Sequence, residues 1–269
     1  MCVEMEDRVK KYLALCKEEI YRLLINRKIY ICLLLYVLLA HPAARMVGSM
    51  FDIEKAYEAI GTIASINNFN KLLVLVAAVP FALSYYEDIQ YGYIHYIVNR
   101  SGSTAYVVAK ITICTLTSFV ISFVGLAIYC TFCMIVKGSG VSVYTIIPNG
   151  LFYDIASGSM PYMAVYYRCL LFAMASSCYA VMGMTLLSVM PNRFVAVTGT
   201  LFMNTLVEIV NGYMPDIFNI FRIQIGNLEY GINSLTVFLC SFAVLMGYII
   251  LSGLVFSGCV NRRISYESF

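Results

Sequence analysis

Residues 107–136 read VVAKITICTLTSFVISFVGLAIYCTFCMIV. The only charge in that run is Lys110, near its N-terminal end. The hydrocarbon core of a bilayer is about 30 Å thick, and an α-helix needs about 20 apolar residues to cross it. So long and apolar a run reads as a membrane span that tilts or projects. It sets the class of the whole chain as an all-α integral membrane protein.

Working outward, five further runs pass the same test. The six spans are expected at about 29–47, 70–86, 107–136, 162–190, 194–210 and 236–259. His41, Pro42 and Arg45 put the outer end of the first span at the headgroups, and the fifth span is short. Composition agrees: 61% of the 269 residues are hydrophobic and 12% charged. Soluble domains run at roughly 45–50% and 25%. Tyr30, Tyr85, Tyr86, Tyr129, Tyr162, Tyr166 and Tyr167 fall at expected span ends, as an aromatic belt does. A net charge of +3 gives no footprint for nucleic acid. The cysteines are scattered through apolar runs and read as small hydrophobes rather than a disulfide framework. Cys130 and Cys133 are close in sequence but have no His beside them.

Before the first span, residues 1–28 read as an amphipathic helix on the cytoplasmic membrane surface. Val9, Tyr12, Leu13, Cys16, Ile20, Leu23 and Leu24 recur at a helical period. Lys10, Lys11, Lys17, Glu18, Arg22 and Arg27 occupy the other face, where cations meet anionic lipid heads. The chain thus divides into this interfacial helix and one six-span domain, 29–269. The first apolar run begins only at Ile29, too late for a secretory leader.

Orientation follows from the loop cations. With the N-terminus inside, twelve Lys and Arg lie on the inner side and six on the outer. Both termini are therefore expected in the cytoplasm, and the chain in the cytoplasmic membrane. Three outer segments result. Residues 48–69 carry Asp52, Glu54, Lys55 and Glu58, and residues 137–161 are rich in Gly, Ser and Pro. Residues 211–235 are too polar to span, but their isoleucines and phenylalanines fit a re-entrant or interfacial piece between spans five and six.

Catalytic patterns find little support. There is no GxxxxGK[ST] phosphate loop and no HExxH. The two histidines, His41 and His95, are expected on opposite sides of the membrane. Ser139, between Gly138 and Gly140, resembles a nucleophile turn but fits a flexible outer loop better. The membrane-embedded acid is Glu208 in span five, one helical turn after Asn204. Buried carboxylates face a partner or a wet cavity, so Asn204 and Glu208 are candidate pathway-lining residues, with a structural pair, or a position at the outer interface near Asn211, as the competing reading. Arg168, near the outer end of span four, reads as a snorkelling anchor.

The most informative loop is 87–110, EDIQYGYIHYIVNRSGSTAYVVAK. Two acids end a span, and an amphipathic stretch with Ile89, Ile94, Ile97 and Val98 follows. A break at 99–102 then leads into the next helix, with Ser103 or Thr104 as its cap. This describes a short helix lying flat on the inner surface. Glu87, then Gly92, then Arg100-Ser101, then Tyr106 and Lys110 resemble, in order and spacing, the permease subunits of type-2 ATP-binding-cassette exporters. The full-length layout is similar, although Asn99 stands where a Pro or other residue commonly precedes the Arg.

The resemblance implies two permease chains, identical or sister, around a central pathway. Two cytoplasmic ATPase subunits would bind beneath and supply the ATP and Mg, with no cofactor on this chain. It assigns ATPase coupling to Glu87, Asp88, Gly92, Ile94, Ile97, Arg100, Ser101 and Lys110. The expected function is the membrane half of an ATP-driven exporter, not an enzyme in itself. The scarcity of span charges suggests an amphipathic or hydrophobic substrate such as a drug, lipid or peptide; the Tyr-rich, acid-capped exterior would suit a cationic antimicrobial peptide. The alternative is a non-transporting membrane protein of the same fold acting in immunity, sensing or assembly. An intramembrane enzyme is the third reading.

Overall fold

A computed structural model describes residues 2–51, 55–65, 67–138, 152–158, 160–225 and 234–267. Among them there is no strand, and six helices are long and apolar enough to cross a membrane. These are α2 (Arg27–Phe51), α4 (Asn67–Gln90), α6 (Ser103–Lys137), α8 (Pro161–Val189), α9 (Arg193–Asn211) and α11 (Ser234–Glu267). Each coincides with an expected span. The shorter helices are α1 (Cys2–Ile25), α3 (Ala56–Ser65), α5 (Tyr93–Ser101), α7 (Tyr153–Ala156) and α10 (Ile220–Ile225). Ser139, Asp52, Glu54 and most of 137–161 lie outside the described residues.

The centre of the bundle is α8, which packs on α4, α6, α9 and α11. Its middle reads FAMASSCYAVMG over 172–183, a run dominated by small side chains. Lipid tails are as apolar as leucine, so membrane helices associate by close packing and interhelical hydrogen bonds rather than by expelling water. Small residues permit that approach. A Cβ on Gly183 would lie 2.9 Å from Thr200 Cα, across the α8–α9 contact. Ser177 Oγ donates to Thr115 O of α6 at 3.0 Å, and Thr185 Oγ1 to Ser252 O of α11 at 3.2 Å. Cys130 and Cys133 are one turn apart on α6, and Cys130 meets Cys169 of α8, with the sulfurs 3.9 Å apart.

Three features depart from the sequence reading. The N-terminal helix stops at Ile25, and Asn26 separates it from α2. Asn26 Oδ1 accepts the Lys28 N–H at 3.1 Å, so this residue caps the first span. The expected apolar stripe of α1 also divides in two. Tyr12, Cys16 and Leu23 face the protein, whereas Val9, Leu13, Ile20 and Leu24 stay exposed. Finally, residues 56–64, expected as outer loop, form the buried helix α3, wedged among α2, α6, α8 and α10. Ten residues cannot cross a bilayer, so a search for spans passes over them.

Candidate functional site

The loop between α4 and α6 is built from two glycines. Gly92 (φ 68°) and Gly102 (φ 90°) bracket α5, and both angles are ones that an L side chain rarely adopts. They allow the chain to leave α4, run nine residues of helix and turn into α6. The helix runs through Asn99 and Arg100 to Ser101, so the break falls at Gly102 alone, later than the sequence suggested. Ile94 is buried, and Ile97 and Val98 pack against the core. The opposite face presents Tyr93, Tyr96, Asn99 and Arg100, with Tyr91 also exposed in the turn before the helix. Ser101 Oγ donates to Ile97 O at 2.6 Å within the helix.

Beneath α5 lies a knot of six charges. Lys110, 1% exposed on α6, bonds Asp88 at the end of α4 and reaches Glu19 of α1 at 2.8 Å. Asp88 is fully buried, and its other oxygen accepts from Arg22 at 2.5 Å. Glu87 accepts from Lys28 at 2.8 Å and lies 3.7 Å from Arg22. Three cations meet three carboxylates, so the knot is formally neutral. Its centre is dry and its rim is wet, with Arg22, Lys28 and Glu87 side chains each more than a third exposed. Phe81 and Tyr106 present ring faces to the Lys110 ammonium, both at 5.6 Å, which favours a cation held out of water.

The physical reason for the knot is the cost of a lone buried ion, which runs to several kcal/mol even after relaxation. Lys110 on an apolar span requires counter-charges. Asp88 reaches it because the α4–α5–α6 turn folds the two span ends together. Glu19 reaches it because α1 crosses α6, a crossing also marked by the Tyr12 hydroxyl donating to Thr112 Oγ1 at 3.1 Å. The start of α2, through Lys28, joins the same network. One polar cluster thus ties α1, α2, α4 and α6 at the end of the bundle from which α5 hangs.

The eight residues of the expected coupling loop therefore fall into three groups. Glu87, Asp88 and Lys110 join one network, Asp88 and Lys110 as direct partners and Glu87 through Arg22 and Lys28, with Asp88 and Lys110 too buried to touch another protein. Gly92, Ile94, Ile97 and Ser101 shape and seat α5. Arg100 is the one of the eight that stands on the exposed face of α5, beside the three tyrosines, which sequence reasoning did not single out. Glu19 was also missed. It lies on the stripe of Tyr12, Cys16 and Leu23, and an acid on a protein-facing stripe is the signal that would have found it.

At the opposite end of the bundle, the candidate lining residues have different surroundings. Glu208 of α9 pairs with Lys71 of α4 at 2.6 Å. Asn204, one turn earlier, is buried. Nearby on α4, Asn70 donates to Gln224 Oε1 at 3.0 Å and to Ala64 O at 3.2 Å. Arg168 does not snorkel as expected, being only 5% exposed. It donates to Tyr57 O at 3.0 Å and to Ile225 O, and its guanidinium lies 4.7 Å from the Tyr57 ring centroid. Gly61 makes room for it, since a Cβ there would sit 3.0 Å from an Nη atom. Seven residues inside α8, the guanidinium is too far from the helix end to escape α3 and α10, so it clamps them to α8.

Among the described residues, no group of three or more His, Cys, Asp or Glu is placed to hold a metal ion. No protein-family model, characterised protein or solved structure matches this chain.

Proposed function

We propose that this chain is the membrane-spanning permease subunit of an ATP-driven exporter of the type-2 ATP-binding-cassette class. In this reading two permease chains flank a pathway and two separate ATPase subunits bind below α5. The observation that carries it is the mounting of α5. A short helix with an exposed Tyr and Arg face hangs from two spans whose ends are locked together by buried ions. Such a helix cannot move without moving α4 and α6, which is the mechanical requirement for passing a push from a soluble motor into the membrane.

Several features fit around that core. The α5 end is the cytoplasmic side, because α1 and its cations lie there. α1 is an interfacial helix: its exposed Val9, Leu13, Ile20 and Leu24 enter the acyl boundary while its protein-facing stripe grips α6. The 3-10 turn Asp216–Phe218 and α10 form an interfacial piece at the outer surface, with Ile220 and Ile223 buried and Phe218 exposed. The host is the cytoplasmic membrane, and the cargo is amphipathic or hydrophobic. ATP and Mg are bound by the partner subunit.

The test is purification of the tagged chain from its own cells in mild detergent. A soluble ATPase in equal amount, released by the triple change Tyr93→Ala, Tyr96→Ala and Arg100→Ala, supports the reading. A folded chain that never carries an ATPase overturns it and favours a non-transporting membrane protein.

A further inference from the structure

A groove of about 690 Å³ opens between α1, the C-terminal end of α5 and the first two turns of α6. Small-molecule sites typically span roughly 300–1,000 Å³. Its charged lining residues are Lys11 and Arg100, both exposed, and among the described residues neither has a carboxylate partner. Ser101, Ser103 and Thr104 add hydroxyls on the same wall. The first turn of α6 has no side-chain cap, so the positive end of a long helix dipole adds to the field. Glu18 lines a separate, smaller recess of about 340 Å³, which shares Lys11 and Arg100 with the groove.

The apolar surroundings are equally specific. Val9 and Val108 line the groove, and each is 50% exposed. Leu13 on α1 and Leu116 on α6 are further exposed apolar side chains of the same two helices. A pair of cations with hydroxyls beside open apolar helix faces is complementary to one kind of molecule: a phosphate-bearing head on acyl chains.

We propose that this groove binds the headgroup of an anionic phospholipid, with Lys11 and Arg100 on the phosphate and the acyl chains against Val9 and Val108. The inference requires only that α6 crosses a bilayer, and it holds whether or not the chain belongs to a transporter. The bound lipid would bridge α1 to α5, two elements that otherwise touch only lightly.

The sequence has no Trp, which makes the test clean. A single reporter, Val108→Trp, is placed in the full chain and reconstituted in phosphatidylcholine vesicles. Quenching by a minor fraction of chain-brominated phosphatidylglycerol is compared with quenching by the same fraction of brominated phosphatidylcholine. Preferential quenching by phosphatidylglycerol is expected. Its relative affinity should fall about five-fold on Lys11→Gln and again on Arg100→Gln, the size expected for one basic side chain at an anionic surface. Lys17→Gln, an exposed change outside the groove, should have no effect. Equal quenching by the two lipids, or an equal loss with Lys17→Gln, overturns the site in favour of diffuse surface charge. Relief of the quenching by inorganic phosphate at constant ionic strength overturns the lipid as occupant and makes this a soluble-phosphate site. Should the reporter chain misfold, native mass spectrometry of the Trp-free chain from mixed lipid reads the same preference: co-release of phosphatidylglycerol, lost in the Lys11 and Arg100 variants, supports the site, and its absence from the native chain overturns it.

Discussion

The two ends of the bundle solve the same problem differently. At the α5 end, buried Lys110 is met by two carboxylates, and the network spreads to water through Arg22, Lys28 and Glu87. At the opposite end, buried Arg168 is met by two backbone carbonyls and a tyrosine ring. The first solution joins elements far apart in sequence through charges that all depend on one another. The second uses peptide dipoles, which carry no net charge and need no second ionised side chain. A guanidinium suits that role because its several donors spread over a plane, whereas an ammonium is a point charge. The contrast teaches that a buried cation is a lock of interdependent parts in one place and a local clamp in another.

Breaking each cation in turn tests that difference. Lys110→Met should have the largest effect, because it leaves the buried Glu19 carboxylate without its paired cation and Asp88 with Arg22 alone. A cost of about 3–5 kcal/mol is expected, read as a lower midpoint in thermal or SDS unfolding of the purified chain. Adding Asp88→Asn and Glu19→Gln to Lys110→Met should recover a good part of that loss. No recovery would mean that the knot is not acting as one unit. Arg168→Met should cost less, about 1–3 kcal/mol, since it leaves two carbonyls without donors but strands no charge. A loss equal to that of Lys110→Met would erase the contrast between the ends.

Gly61→Ala sharpens the comparison. The new methyl group meets only the tip of a flexible side chain, so a loss of about 1 kcal/mol or less is expected. A much larger loss would show that the guanidinium has no second position to take. The smallest effect belongs to Lys28→Gln at the rim of the knot. Partly exposed pairs are worth roughly 0–1 kcal/mol, and the difference from the parent chain should shrink further in high salt.

Reading the sequence found what depends on long runs of one chemistry. The six spans were legible because each is a continuous apolar segment, and their helices begin and end within a few residues of expectation. The exception is α11, which continues past the expected end through Arg262 and Arg263 to Glu267. What remained hidden depends on which residues meet. Lys110 and Asp88 were both noted, but as separate span-end charges expected to couple to an ATPase. Their pairing exists only once the turn through α5 is closed. Glu19 was invisible for a related reason, since its role is fixed by the crossing of α1 over α6 rather than by its neighbours in sequence. The helix α3 escaped because a length test for spans discards any short apolar segment. Arg168 was misjudged on position: near a helix end it would snorkel, but α3 and α10 cover that end.

The central place of α8 bears on how the molecule is built in time. Two of its neighbours, α9 and α11, follow it in the chain, so its small-residue faces are sealed only after the last span has been made. Until then the hydroxyls that later reach across to other helices need partners of their own. Ser177 and Thr185 have them already, donating to Ala173 O at 3.0 Å and to Val181 O at 2.9 Å within α8. The fourth span can thus wait in lipid, half assembled, with each of those two hydroxyls satisfied by the turn beneath it.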